Sequence, residues 1–127
     1  SGADFGYIGS AFIATKEANA SINYKEAITK YNSDDIVYTD LVTGVKGNYL
    51  KPSLAAAGFD PDNLPKSDPS KMDFSSEDGM EKKKAWKDIW GCGQGIGSVK
   101  EVLSCSQLVD KLTDEYNQAK SRLKSIA

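Results

Sequence analysis

Histidine does not occur in this 127-residue chain. Its absence removes the commonest general base near neutral pH and the commonest imidazole metal ligand. No Ser-His or Cys-His couple is available, and no histidine exists to complete a zinc site with the two cysteines, Cys92 and Cys105. Two thiols do not make a disulfide framework, so both are expected to be free and reduced, as in the cytoplasm. A long apolar run is also missing: no stretch approaches the roughly 20 residues that span a membrane. Neither charge dominates. Sixteen basic and eighteen acidic residues leave a formal net charge of −2, with no basic stripe interleaved with aromatics for a nucleic acid to follow. Lys82–Lys84 are flanked by Glu77, Asp78, Glu81 and Asp88 and read as a solvated helix face. The carboxylates Asp60, Asp62, Asp68, Asp73, Glu77 and Asp78 lack the spacing and central glycine of a calcium loop. No internal repeat or low-complexity tract is present.

What remains is one domain's worth of chain, organised around its opening residues. Phe5, Tyr7 and Ile8 are strand formers, and Gly9-Ser10 ends the run in small residues before a helical start. A strand that ends in small residues with exposed backbone N–H groups suits a phosphate; the alternative is a plain strand-ending turn. This strand has no predecessor in the chain, and the chain begins without methionine at a strand edge, as a fragment or a processed product does.

Downstream, Thr15 is positioned to cap a short helix over 16–20, and Asn23 to cap another over 24–31 with Ala27, Ile28 and Tyr31 on one face. The β-branched residues 36–42 predict a strand. Residues 47–57 predict a helix ended by Gly58 in a left-handed cap; Pro52 makes its regular part start near Lys51 or kinks it. A polar, proline-bearing excursion over 59–76 and a short helix over 81–87 follow. Ile89-Trp90-Gly91 reads as a short extended piece. The glycine-rich run Gly91–Gly97 is either a flexible turn or bare backbone lying against a ligand with Gln94 presenting its amide. No Rossmann-like unit encloses it. Ser104 and Gln107 fit a capping box, and Leu108, Leu112, Tyr116 and Leu123 form an apolar stripe, so a long amphipathic helix is expected from about Cys105 to Lys124.

Several of these stretches together are distinctive. The opening Gly2–Ala18, then Asp35-Ile36-Val37-Tyr38-Thr39, Thr43-Gly44-Val45-Lys46-Gly47-Asn48-Tyr49-Leu50-Lys51-Pro52, Trp86–Gly91 and Gly93-Gln94-Gly95-Ile96-Gly97 resemble the nitronate monooxygenase family, flavin enzymes formerly called 2-nitropropane dioxygenases. The resemblance implies an α/β fold: the C-terminal fragment of a (β/α)8 TIM barrel, last strand and last helix, with a mainly helical insertion, helix-dominated as a whole. It divides the chain into the last strand and phosphate turn (1–14), a substrate-lid insertion (15–87), and a return segment with glycine-rich loop and last helix (88–127). FMN is the implied cofactor. In barrels of this kind the phosphate is held by the loops after strands seven and eight, which places it on Gly9 and Ser10. Gly93, Gln94 and Gly95 would face the flavin or substrate. A barrel needs about 250 residues, so the first seven strands, and the histidine that serves as base in members of the family, would lie outside this chain.

The implied activity is oxidation of alkyl nitronates with O2, carried out with the remainder of the barrel and leaving homo-oligomerisation open. An FMN-dependent enoyl-acyl-carrier-protein reductase of the related barrel family is the alternative within enzymes. A non-catalytic helical interaction domain descended from such a barrel is the alternative outside them.

Overall fold

The computed structural model of the protein describes residues 2–66 and 87–127. They form two compact units. One comprises Ser1–Lys30 with Val99–Ala127, the other Tyr31–Ser98.

In the first unit, residues 2–9, expected as a strand, belong to no strand among the described residues. A strand exists only when a neighbour satisfies its N–H and C=O groups. Without one, strand-forming side chains alone do not define it: Phe5 is 94% and Tyr7 103% exposed. The helical start comes where expected, as α1 (Ser10–Ile13). Thr15 does not open a helix over 16–20. Its hydroxyl turns back and donates to the Phe12 carbonyl (2.7 Å), closing α1. Residues 16–20 are turns and bends, and Lys16 N–H donates to the Leu103 carbonyl (2.8 Å) beside a parallel bridge between Thr15 and Leu103.

Helix α2 (Ile22–Lys30) starts one residue before Asn23. Ser21, not Asn23, supplies the oxygen that accepts from Tyr24 N–H (3.3 Å). Ala27 and Ile28 are buried, as their shared face predicts.

The long C-terminal helix, α4 (Cys105–Ile126), follows its sequence signature closely. Ser104 Oγ accepts from Gln107 N–H (3.1 Å), and Gln107 Oε1 accepts from Ser104 N–H (2.9 Å). The Glu17 carboxylate accepts from Cys105 N–H (2.9 Å), satisfying a first-turn donor that the helix itself cannot.

The second unit is built on a hairpin. Strand β1 (Ile36–Thr39) pairs antiparallel with β2 (Gly47–Leu50), Ile36 opposite Leu50 and Thr39 opposite Gly47. The strand stops three residues earlier than the β-branched run suggests, because Thr39 Oγ1 accepts from Leu41 N–H (3.2 Å) and turns the chain. Strand β2 occupies what composition assigns to a helix. Its free side is used by the 90–92 segment: Leu50 N–H donates to the Trp90 carbonyl (2.9 Å) and Cys92 N–H to the Asn48 carbonyl (3.3 Å).

Helix α3 (Lys51–Ala56) then starts at Lys51, with Pro52 in its first turn where no intrahelical donor is lost. Gly58 follows at φ +90°, the left-handed conformation predicted for it. Ser53 is buried and ties three segments together. Its hydroxyl donates to the Leu50 carbonyl (2.7 Å) and accepts from Trp90 N–H (3.0 Å). Leu50, Leu54 and Ile96 are fully buried and form the centre of this unit's core. The helix expected over 81–87, save its last residue Lys87, and the later part of the 59–76 excursion lie outside the described residues.

Candidate functional site

Gly9 is the residue before α1, exposed, with no side-chain cap at that end. Its carbonyl accepts from Phe12 N–H (3.0 Å), which fixes the turn into Ser10, the first helical residue. A Cβ built on Gly9 meets nothing within 4 Å, and φ is −114°. Neither crowding nor backbone conformation therefore requires glycine here. A backbone left bare toward open space, followed by a hydroxyl, is a donor set that suits a phosphate arriving from outside.

The glycine-rich run carries regular structure. Gln94–Ser98 form a 3-10 helix pinned by Ile96, which is fully buried. Ile96 N–H donates to the Gly93 carbonyl (3.3 Å), and Ser98 Oγ donates to the Gly95 carbonyl (2.8 Å).

The glycines of this run divide by what surrounds them. A Cβ at Gly91 would sit 3.4 Å from the Asn48 carbonyl, and one at Gly97 would sit 3.7 Å from the Asn32 Cβ. Gly91 therefore serves strand pairing and Gly97 internal packing. A Cβ at Gly95 meets nothing within 4 Å, and Gly93, Gln94 and Gly95 are all exposed. That three-residue arc is rigidly based and open above. Gly9 and Ser10 belong to the first unit, Gly93–Gly95 to the second.

A feature that sequence reasoning missed is a cleft of about 500 Å³ along β1, lined by Val37, Tyr38, Asp40 and Lys46 on one side and by Pro61 and Leu64 on the other. The Lys46 ammonium stands 5.8 Å from the centre of the Tyr38 ring. Tyr38 and Lys46 flank the hairpin loop. Their meeting was unreadable without β2, whose register brings them together.

The nucleophile inventory is short. Both cysteines are free. Burial pushes the Cys92 thiol up from 9.0 to about 11, which makes it inert at neutral pH. The Cys105 N–H bond, followed by Glu17's own N–H, holds the Glu17 carboxyl below its ordinary value. Among the described residues no cluster of Cys, Asp and Glu could hold a metal, and no helix is long and apolar enough to cross a membrane.

The family model for nitronate monooxygenase matches residues 1–115. No match was found among curated protein sequences. Among solved structures, FabK from Thermotoga maritima superposes with a TM-score of 0.63 at 18% identity, over 94% of this chain and 39% of the FabK chain. The chain thus spans about two-fifths of the solved chain it matches, and the likeness is one of fold.

Proposed function

Because the chain belongs to the nitronate monooxygenase family, a family of FMN flavoenzymes, we propose that it is the C-terminal part of an FMN-dependent oxidoreductase acting on alkyl nitronates and O2. The family match over 1–115 carries this reading, and the partial superposition on FabK supports a piece of the same kind of fold. In the complete enzyme, residues 2–9 would pair as the last barrel strand and α4 would be the last barrel helix. Residues 15–87 would form the substrate lid, and the proton-abstracting base would come from outside this chain.

FMN supplies the redox chemistry. The part of Gly9 and Ser10 is to hold its phosphate through backbone N–H groups and the Ser10 hydroxyl. Gln94, on its 3-10 base between Gly93 and Gly95, offers a donor and an acceptor to the flavin or the substrate without having to be ordered first. These residues fit a phosphate and a flat ring: backbone N–H and hydroxyl donors are present, and a Cβ at Gly9 or Gly95 would meet nothing within 4 Å.

The deciding experiment takes the complete protein that contains this chain. Bound flavin is measured by absorbance, and turnover by O2 uptake with a nitronate. Gly9→Val meets no clash within the chain itself, so loss of flavin in that variant reports the phosphate contact directly. Full flavin occupancy in Gly9→Val would refute the assignment. A flavoprotein that ignores nitronates but reduces an enoyl thioester with a nicotinamide donor would replace the activity while leaving the cofactor site intact.

A further inference from the structure

We propose that Ser53 is a positioning residue: its buried hydroxyl fixes the register of the segment that carries Gln94, and thereby the place of the Gln94 amide against flavin or substrate. The proposal rests on the reading that the Gly93–Gly95 arc faces one of those two. Every contact it uses lies inside the second unit, among residues whose burial does not depend on what lies outside this chain.

The starting observation is a closed ring of hydrogen bonds. Leu50 N–H donates to the Trp90 carbonyl (2.9 Å), Trp90 N–H donates to Ser53 Oγ (3.0 Å), and the Ser53 hydroxyl donates to the Leu50 carbonyl (2.7 Å). Two residues facing each other in a hydrogen-bonded antiparallel pair exchange both bonds directly. Here one bond is direct and the other passes through a hydroxyl. The cause is local. Leu50 ends β2 and immediately precedes α3, so the strand edge gives way to a helix at the residue where Trp90 needs an acceptor. Serine suits the gap because one hydroxyl can donate and accept at once. At 3% exposure Ser53 does this out of reach of competing water.

The neighbouring bonds do not specify a register. Cys92 N–H to the Asn48 carbonyl (3.3 Å) and the antiparallel bridge between Tyr49 and Gly91 are backbone contacts that carry no side-chain identity. A slip of two residues, about 6.6 Å at about 3.3 Å per residue, would preserve the pattern of such contacts and the faces of the side chains. The Ser53 hydroxyl meets Trp90 N–H only in the observed register. Beyond Gln94 the chain is fixed again at Ile96, which is fully buried and whose N–H donates to the Gly93 carbonyl (3.3 Å). Gln94 thus lies between two clamps, Trp90 before it and Ile96 after it. Releasing the first leaves the arc held at one end. A displacement of about 1 Å at a positioned group can cost about a hundredfold in rate.

The test is a double-mutant cycle in the complete protein that contains this chain, with Ser53→Ala, Gln94→Ala and the two together. FMN is titrated into the deflavinated protein for its Kd, and KM is measured for whichever substrate turns over, nitronate or enoyl thioester. Each single variant should raise the same one of these constants by about tenfold, the worth of one hydrogen bond. The double variant should match Gln94→Ala within about twofold. A change in Kd assigns Gln94 to the flavin, and a change in KM assigns it to the substrate. A purely structural serine would lower stability and leave both constants of the folded protein alone, or would add its effect to that of Gln94→Ala, about a hundredfold in total. Ser53→Thr keeps the hydroxyl and should stay within about threefold of wild type. If Ser53→Ala does not hold its fold by circular dichroism, Ser53→Cys takes its place, since a thiol of similar size is a weaker acceptor. Additive effects, or constants unmoved by either single change, in a protein that binds FMN would overturn the proposal and leave the reading of the site standing. A wild-type protein that binds no FMN would overturn that reading, and this proposal with it.

Discussion

Removing one oxygen from the second unit should loosen three segments at once. Ser53 is 3% exposed, and its hydroxyl serves both the Leu50 carbonyl at 2.7 Å and Trp90 N–H at 3.0 Å. In Ser53→Ala the Trp90 N–H keeps its half-buried position and loses this acceptor, at a cost of about 1–3 kcal/mol. The Leu50 carbonyl loses one of two possible donors, worth about 0.5–1.5 kcal/mol. Alanine recovers about 0.5 kcal/mol of helix propensity within α3. The balance is a loss of about 2 kcal/mol. It should fall first on the junction where Trp90 also accepts from Leu50 N–H (2.9 Å). Native-state hydrogen exchange reads that junction residue by residue, and the Trp90 amide should exchange about thirtyfold faster in the variant, at about tenfold per 1.4 kcal/mol. Urea unfolding gives the global figure. Ser98→Ala is the control, because Ser98 also donates to a backbone carbonyl (2.8 Å) but does so in water, and it should cost under about 0.5 kcal/mol. If Ser53→Ala matches that control and the Trp90 amide stays protected, the hydroxyl does not hold these segments together and the reasoning fails.

Two further outcomes follow from the titrating groups. The buried Cys92 keeps its proton to about pH 11, whereas the unfolded thiol loses its proton near the ordinary value of 9.0. Stability attributable to this group should therefore be complete below pH 9, decline between pH 9 and 11, and level off above. In native protein a thiol reagent should label Cys105 well before Cys92, and equal rates would contradict the burial. Glu17 titrates below its ordinary 4.5 because it accepts from Cys105 N–H, so its contribution is present above the usual carboxylate range and lost as the pH falls through it. Glu17→Gln should flatten that acid-side loss of α4 helicity, followed by circular dichroism, and an unchanged acid profile would count against the contact.

How far the sequence could be read depended on where each partner lies. Helix α4 was legible to within a turn because its capping box and apolar stripe are written within the helix itself. Gly58 likewise announced the stop of α3, whereas Pro52 left its start open between a beginning near Lys51 and a kink. Strand β2 was not legible. Gly47 and Asn48 are poor strand formers, and the segment is extended only because Ile36–Thr39 and the 90–92 segment pair with it from a distance. Thr15 was misread for the opposite reason. A threonine just ahead of a glutamate is a sound local signal for a helix start, but the hydroxyl served the preceding turn. Residues 2–9 show the limit of propensity: Phe5, Tyr7 and Ile8 favour a strand, and pairing was needed to make one. At the candidate site, Gly9 and Ser10 stood out through family resemblance. The separation of Gly91 and Gly97, which pack against the chain, from Gly95, which faces open space, needed coordinates.

The second unit carries an evolutionary implication in how it is threaded. It starts and ends at one place, since a Cβ at Gly97 would lie against the Asn32 side chain. The first unit meanwhile closes through Thr15, Lys16 and Leu103 and through Glu17 on Cys105, contacts that do not involve residues 31–98. A stretch whose two stems are neighbours can lengthen, shorten or be exchanged between relatives while the flanking contacts persist. Residues 31–98 are thereby free to vary independently of the segment that begins at Gly9. A chimera carrying another relative's 31–98 stretch is accordingly a reasonable object to build.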